Sequence, residues 1–125
     1  MPNRGAHMKK ILIVDDSTYM RLNIRNIIRE MGLKVAGEAQ NGKECIKKYK
    51  KFNPDLVIMD INMPEMGGIE ALKKLKKYDS EAQVIICSAM GQQPLIIQAL
   101  KAGAEDFIIK PFYKSKIKNT INNIL

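Results

Sequence analysis

The sequence predicts a doubly wound α/β domain, in which five helices cover both faces of a five-stranded parallel sheet. Three observations carry that expectation. Short apolar runs rich in Ile and Val alternate with longer stretches whose apolar residues recur at helical spacing. Gly, Pro and Asn punctuate the joins. The apolar runs also end abruptly on polar or charged groups: Asp15-Asp16 after one, Asp60 after another, then Ser88 and Lys110. Strands alternating with helices through short, right-handed connections make a parallel sheet with helices on both sides.

The elements follow in order. Lys9 to Val14 is the first strand, and Asp15-Asp16-Ser17-Thr18 supplies a loop and a helix N-cap. Met20, Ile24, Ile27, Ile28 and Met31 form a stripe at helical spacing, with arginines between them and Gly32 as the C-terminal cap. Val35 to Ala39 is a weaker, more polar strand, expected at an edge. Asn41-Gly42 turns into a helix with Cys45, Ile46 and Tyr49 inward, and Asn53-Pro54 stops it. The stretch Asp55-Leu56-Val57-Ile58-Met59-Asp60 reads as a strand buried on both faces. Met66-Gly67-Gly68 reads as a flexible loop into a helix with Ile69, Leu72 and Leu75 on one face. Gln83 to Cys87 is the fourth strand, ending at Ser88, and Pro94 sits in the first turn of the helix that Gly103 closes. Phe107 to Ile109 is the fifth strand, ending at Lys110-Pro111, where a cis peptide is expected. A last helix carries Ile117, Ile121 and Ile124.

The 125 residues suffice for one domain with a real core and are too few for two. Residues 1–7 are polar and patternless and read as a leader left from expression, with the natural start at Met8 and the domain over 8–125. No apolar run approaches the roughly 20 residues that span a bilayer, so no membrane association is expected. The single histidine, His7, argues against a histidine-based metal site or triad. Cys45 and Cys87 lie far apart inside predicted elements and read as small core residues of a protein in a reducing, cytoplasmic compartment. The net charge of +8 resides largely in lysine pairs such as Lys47-Lys48 and Lys73-Lys74, placed as on solvated helix faces. Specific nucleic-acid binding is therefore not expected.

A carboxylate at the end of a buried strand is costly unless it has a partner, a metal or a reaction. In a sheet ordered 2-1-3-4-5, the first and third strands flank a switch point, so Asp15, Asp16 and Asp60 converge on one crevice, flanked by Ser88 and Lys110. Three close carboxylates repel, and one lysine offsets only one charge. A hard divalent cation resolves this, and Mg²⁺ suits few carboxylates and several waters. Such a metal beside Asp60 as nucleophile, with Lys110 and Ser88 as partners to the phosphoryl oxygens, is equipment for phosphoryl transfer.

Val14-Asp15-Asp16, Met59-Asp60 with Met63-Pro64, Ser88-Ala89 and Lys110-Pro111-Phe112 together resemble the receiver domain of two-component response regulators. The resemblance covers Lys9 to Leu125, and Ser88 to Gln93 resembles the single-domain chemotaxis regulators of that family. It implies a flavodoxin-like fold with strand order 2-1-3-4-5. It implies Asp60 as phosphoacceptor, Mg²⁺ held by Asp15, Asp16, Asp60 and the Asn62 carbonyl, and Ser88 and Lys110 as phosphoryl partners. Phe107 is implied as the switch aromatic, without the hydroxyl of a frequent Tyr, while Ser88 keeps the hydroxyl of the commoner Thr. A monomer is expected that is no turnover enzyme, promoting only its own phosphorylation and dephosphorylation. Its implied partners are a histidine kinase, a phosphatase, and a flagellar switch or archaeal motor adaptor. That motor target would bind the fourth helix, fifth strand and fifth helix, where Gln92, Gln98, Lys101 and Lys118 are expected exposed, with Ala99 and Ala102 leaving room. The alternative is a receiver from a DNA-binding or methylesterase regulator. A flavin mononucleotide site is disfavoured because Asp15-Asp16 would repel its phosphate, and an aspartyl phosphatase because Asn62 stands where a second acid is usual.

Overall fold

The computed structural model describes residues 8–125; the expected leader at 1–7 lies outside the described residues. Five strands, β1 (Lys10–Val14), β2 (Lys34–Ala39), β3 (Leu56–Asp60), β4 (Val84–Ala89) and β5 (Asp106–Lys110), alternate with five helices. The helices are α1 (Thr18–Glu30), α2 (Gly42–Phe52), α3 (Gly68–Tyr78), α4 (Gln93–Lys101) and α5 (Lys114–Ile124). All strand pairs are parallel, in the order β2-β1-β3-β4-β5. The polar strand β2 lies at an edge, as its composition predicts, and its pairing with β1 shifts register between Ile11 and Leu12.

Side chains alternate between the two faces of a strand, and here the alternation sorts the core into two layers. Leu12, Val14, Val57, Met59, Val84 and Ile86 pack with Cys45 and Tyr49 of α2, Leu72 and Leu75 of α3, and Ile96 and Ala99 of α4. Ile11, Ile13, Leu56, Ile58, Ile85, Cys87 and Ile108 pack on the opposite face with Ile24 and Ile28 of α1 and Ile117 and Ile121 of α5. Every residue of β3 is buried, which explains its unbroken apolar run.

The helix ends follow local chemistry. Ser17 caps α1 by accepting from the Met20 N–H, and Asn41 caps α2 by accepting from the Glu44 N–H. Gly32 and Gly103, just past α1 and α4, take left-handed conformations at φ 77° and 108°, where a Cβ would strain the backbone. In the Met66-Gly67-Gly68 turn, expected as a flexible loop, Gly68 also has a packing role. A Cβ on Gly68 would lie 2.3 Å from the Asp60 carbonyl oxygen, so this glycine permits a close approach of α3 to the end of β3. The Gly68 N–H also donates to the Ile61 carbonyl at 2.8 Å. The Lys110–Pro111 peptide is cis, as expected.

Candidate functional site

The carboxyl ends of β1, β3 and β5 bring Asp15, Asp60 and Lys110 together. Asp60 and Lys110 keep the strand phase of Ile58 and Ile108, and Asp15 continues that of Ile13, so all three continue the face that packs on α1 and α5. Lys110 Nζ lies 3.1 Å from Asp15 Oδ2 and 3.3 Å from Asp60 Oδ2. Asp15 is 2% exposed and Asp60 9%. Asp16 is exposed beside them, and one carboxylate oxygen from each of Asp15, Asp16 and Asp60 lies within 4.8 Å of the other two. Asn62 is exposed two residues beyond Asp60.

The electrostatics follow from this crowding. Burial pushes the Asp60 carboxyl above its ordinary pKa and Asp15 adds to the rise, while the Lys110 charge and the Asn62 N–H work against it. Burial works to lower the Lys110 pKa, but Asp60 and Asp15 outweigh it and hold the ammonium above its ordinary value. One lysine thus faces two buried carboxylates and a third close by. An oxygen-only donor set with this surplus of negative charge fits a hard divalent cation such as Mg²⁺.

Two residues shape this site in ways the sequence reading does not assign: Arg21 has no role there, and Gln92 is placed only on the exposed output face. Arg21 donates to the Asp15 carbonyl at 2.6 Å and to Glu38 Oε1 at 3.2 Å, tying the β1–α1 loop to β2. Arg25, one turn on, donates to Glu38 Oε2 at 2.6 Å. A glutamate in an edge strand, with arginines four apart on the preceding helix, is the sequence signal that would have found this cluster. The second residue is Gln92. Its Oε1 accepts from the Ser88 hydroxyl at 2.8 Å and from the Ala89 N–H at 2.8 Å.

That contact corrects part of the expected output face. Gln92 is engaged with β4 rather than free. Ala99 is 1% exposed and belongs to the core, because α4 turns Ile96 and Ala99 inward together. Lys118 pairs with Glu30 at 2.6 Å across α1 and α5. Gln98 and Lys101 are exposed as expected, and Ala102 is half-buried. Ser88, fully buried, follows the phase of Val84 and Ile86, which face α2, α3 and α4. Phe107 is half-buried on that same layer, paired in register with Ile86, and lines a surface depression with Ile109, Phe112 and Tyr113.

An acidic pocket at the ends of β1 and β3, closed by a lysine from β5 on a sheet of this order, defines a class of protein. Residues 11–122 match the model of the response regulator receiver domain, and the chain belongs to that family. Within the family it is similar to chemotaxis proteins. It is 53% identical over 116 residues to chemotaxis protein CheY of Thermotoga maritima, covering 93% of this chain and 97% of that one. To chemotaxis protein CheY of Bacillus subtilis it is 52% identical over the same span, with the same coverage of both chains. Among solved structures, the CheX–CheY–BeF3–Mg²⁺ complex of Borrelia burgdorferi matches with a TM-score of 0.91 at 34% identity, over 98% of this chain and 93% of that one. Among the described residues, no helix is long and apolar enough to cross a membrane.

Proposed function

We propose that this chain is the phosphoacceptor of a two-component chemotaxis system in the cytoplasm. Asp60 accepts a phosphoryl group from a histidine kinase in a Mg²⁺-dependent reaction, and the phosphorylated form binds a motility-motor target. The observation that carries the reading is the Asp60 carboxylate itself: buried, at the end of the central strand, 3.3 Å from Lys110 and within 4.8 Å of Asp15 and Asp16 oxygens.

In the reaction, an Asp60 oxygen attacks phosphorus, the new P–O bond forms as the P–N bond to the kinase histidine breaks, and the imidazole leaves. Asp15, Asp16, Asp60 and the Asn62 carbonyl are the groups that would hold the cation, which when bound supplies positive charge to the transferring oxygens. Lys110 starts between Asp15 and Asp60, so its ammonium is already placed to follow the charge that builds on the phosphoryl group. The Asn62 N–H helps to keep the Asp60 carboxylate ionised, against the burial that raises its pKa. The Arg21 contact to the Asp15 carbonyl holds the β1–α1 loop in place.

The Ser88 hydroxyl then leaves Gln92 for the phosphoryl group, and Phe107 turns into the space released. Packed layers move between discrete arrangements, so this shift alters the face of α4, β5 and α5. A target need prefer one state by only a few kcal/mol to respond. The chain acts in this reading on itself alone, gaining and losing its own phosphate. The likeness to chemotaxis CheY proteins, and to one solved with beryllofluoride and Mg²⁺, supports the reading.

The test is mass spectrometry after incubation with acetyl phosphate. A single phosphoryl adduct should form with Mg²⁺, vanish with EDTA and be missing from Asp60→Asn; an adduct that survives either change overturns the assignment. For the output step, affinity for a motor-side target is measured with and without beryllofluoride in the wild type, Ser88→Ala and Phe107→Ala. Full activation in both variants would remove those residues from the switch.

A further inference from the structure

We propose that the cleft between α2 and α3 is a docking site for an acidic protein segment that carries an apolar anchor residue. The two helices together hold nine lysines against two glutamates, a net +7 of the chain's +8. Lys43, Lys47, Lys73, Lys74 and Lys77 are exposed and, among the described residues, take part in no ion pair. The charge is not spread over a flat surface. Lys43, Lys50 and Lys74 rim a cleft whose apolar lining is Ile46, Met66 and Tyr78. A ring of ammonium groups above an apolar floor fits carboxylates flanking one aliphatic or aromatic side chain.

The same residues argue against other polyanions. Neither α2 nor α3 carries an arginine, the side chain whose planar fork suits phosphate. The Tyr78 ring has the Lys50 ammonium 4.9 Å from its centroid and meets Tyr49 edge-on, so its surface for stacking a base is already partly taken. Tyr78 is also the one exposed large apolar residue of the two helices, which leaves no apolar face for insertion into a lipid surface. A second copy of the chain, itself net positive, would be repelled. The cleft reaches toward the phosphoacceptor as well. Met66 lies in the segment that leaves Asp60, and its carbonyl accepts from the Gly42 N–H of α2 at 2.8 Å. An occupant would therefore touch the β3–α3 loop without covering α4, β5 or α5.

The probe is a fluorescent synthetic peptide of glutamates and aspartates around a single leucine, titrated with the full chain at physiological salt. Its comparators are the same peptide with serine in place of leucine, phosphatidylglycerol vesicles, and a single-stranded oligothymidylate. The leucine peptide should bind at least about tenfold more tightly than the serine peptide and than either other polyanion. Lys43→Glu with Lys74→Glu should weaken it by at least about tenfold, Tyr78→Ser should abolish the leucine preference, and Lys101→Glu with Lys116→Glu should change affinity less than about twofold. Thermal melts show that the variants fold, and Lys43→Gln with Lys74→Gln repeats the charge test more gently. Equal binding of the two peptides, tighter binding of DNA or vesicles, or equal sensitivity to the Lys101 and Lys116 reversals would overturn the proposal.

Discussion

Gly68→Ala tests how tightly α3 is held against the end of β3, where Asp60 lies. The added Cβ would lie 2.3 Å from the Asp60 oxygen, 2.9 Å from the Ile61 Cα and 3.1 Å from the Asp60 carbonyl carbon. All three are backbone atoms, so no flexible side chain can yield. The helix start must withdraw, which also strains the Gly68 N–H bond to Ile61. Overpacking costs about 1–3 kcal/mol and a lost hydrogen bond about 0.5–1.5 kcal/mol. Against these, replacing glycine by alanine in a helix gains at most about 1 kcal/mol. The clash wins, with a net loss of about 1–3 kcal/mol, which for a chain this size lowers Tm by roughly 4–11 °C. Gly67→Ala is the control, because its Cβ meets only the Ile61 oxygen, at 3.3 Å, and stability should stay within about 1 kcal/mol of wild type. Thermal and urea unfolding measure both, and acetyl phosphate labelling should slow in Gly68→Ala because the displaced carbonyl belongs to Asp60. A Gly68→Ala protein that melts with the wild type, or a Gly67→Ala protein destabilised as much as Gly68→Ala, would refute the reasoning.

Burial pushes the Cys45 and Cys87 thiols up to about 12, so neither should react with Ellman's reagent at neutral pH until the protein is unfolded; rapid labelling of the native chain would contradict this. The Glu38 carboxyl is held below its ordinary pKa by the Arg25 hydrogen bond, against some burial and with help from Arg21. A depressed carboxyl stabilises the fold above its unfolded pKa, roughly 4.3, and loses that contribution as pH falls through the folded value. Glu38→Gln should thus cost about 1 kcal/mol at neutral pH in urea titrations and nothing once both forms are fully protonated; a gap that persists in strong acid would disprove the ion-pair account. Lys110→Met removes the cation that competes for Asp15 and Asp60, so calorimetry should show tighter Mg²⁺ binding while phosphoryl labelling falls; weaker Mg²⁺ binding would count against the shared site. DNA binding should be ionic only and collapse between low and physiological salt, whereas sequence-selective binding at physiological salt would revive a nucleic-acid role.

Much of this architecture is legible in the sequence because period and punctuation are local. The unbroken run from Leu56 to Met59 marks a strand covered on both sides, and the polar β2 marks an edge. Asp15, Asp60 and Lys110 are legible because strand ends are where such groups collect. Strand order was not legible from the pattern; it came from resemblance to a family. What stayed hidden depends on contacts between distant elements. Gly68 reads as flexibility, since nothing local shows that the Asp60 carbonyl passes so close. Lys118 reads as free, since only the sheet topology brings α5 beside Glu30 of α1. Ala99 reads as exposed until the rotation of α4 about its axis is known, and that is set by Ile96 docking on the sheet.

If Ser88 switches as proposed, the Gln92 amide has a consequence for background activity. Its single oxygen receives two donors from neighbouring residues, Ser88 and Ala89. The Ser88 hydroxyl lies 2.8 Å from that oxygen and 3.1 Å from the Ala89 carbonyl, so any route that takes it toward Asp60 begins by surrendering its bond to one of them. At a net worth of about 0.5–1.5 kcal/mol, that bond alone biases the resting population roughly two- to twelvefold away from the inward arrangement. In an unstimulated cell, the fraction of molecules that mimic the activated form without phosphate is the noise floor beneath every stimulus. Under the proposed switch, the glutamine at the N-cap of α4 therefore sets how quiet the resting system is. The ratio between silence and full output can be tuned at this position without touching the chemistry at Asp60.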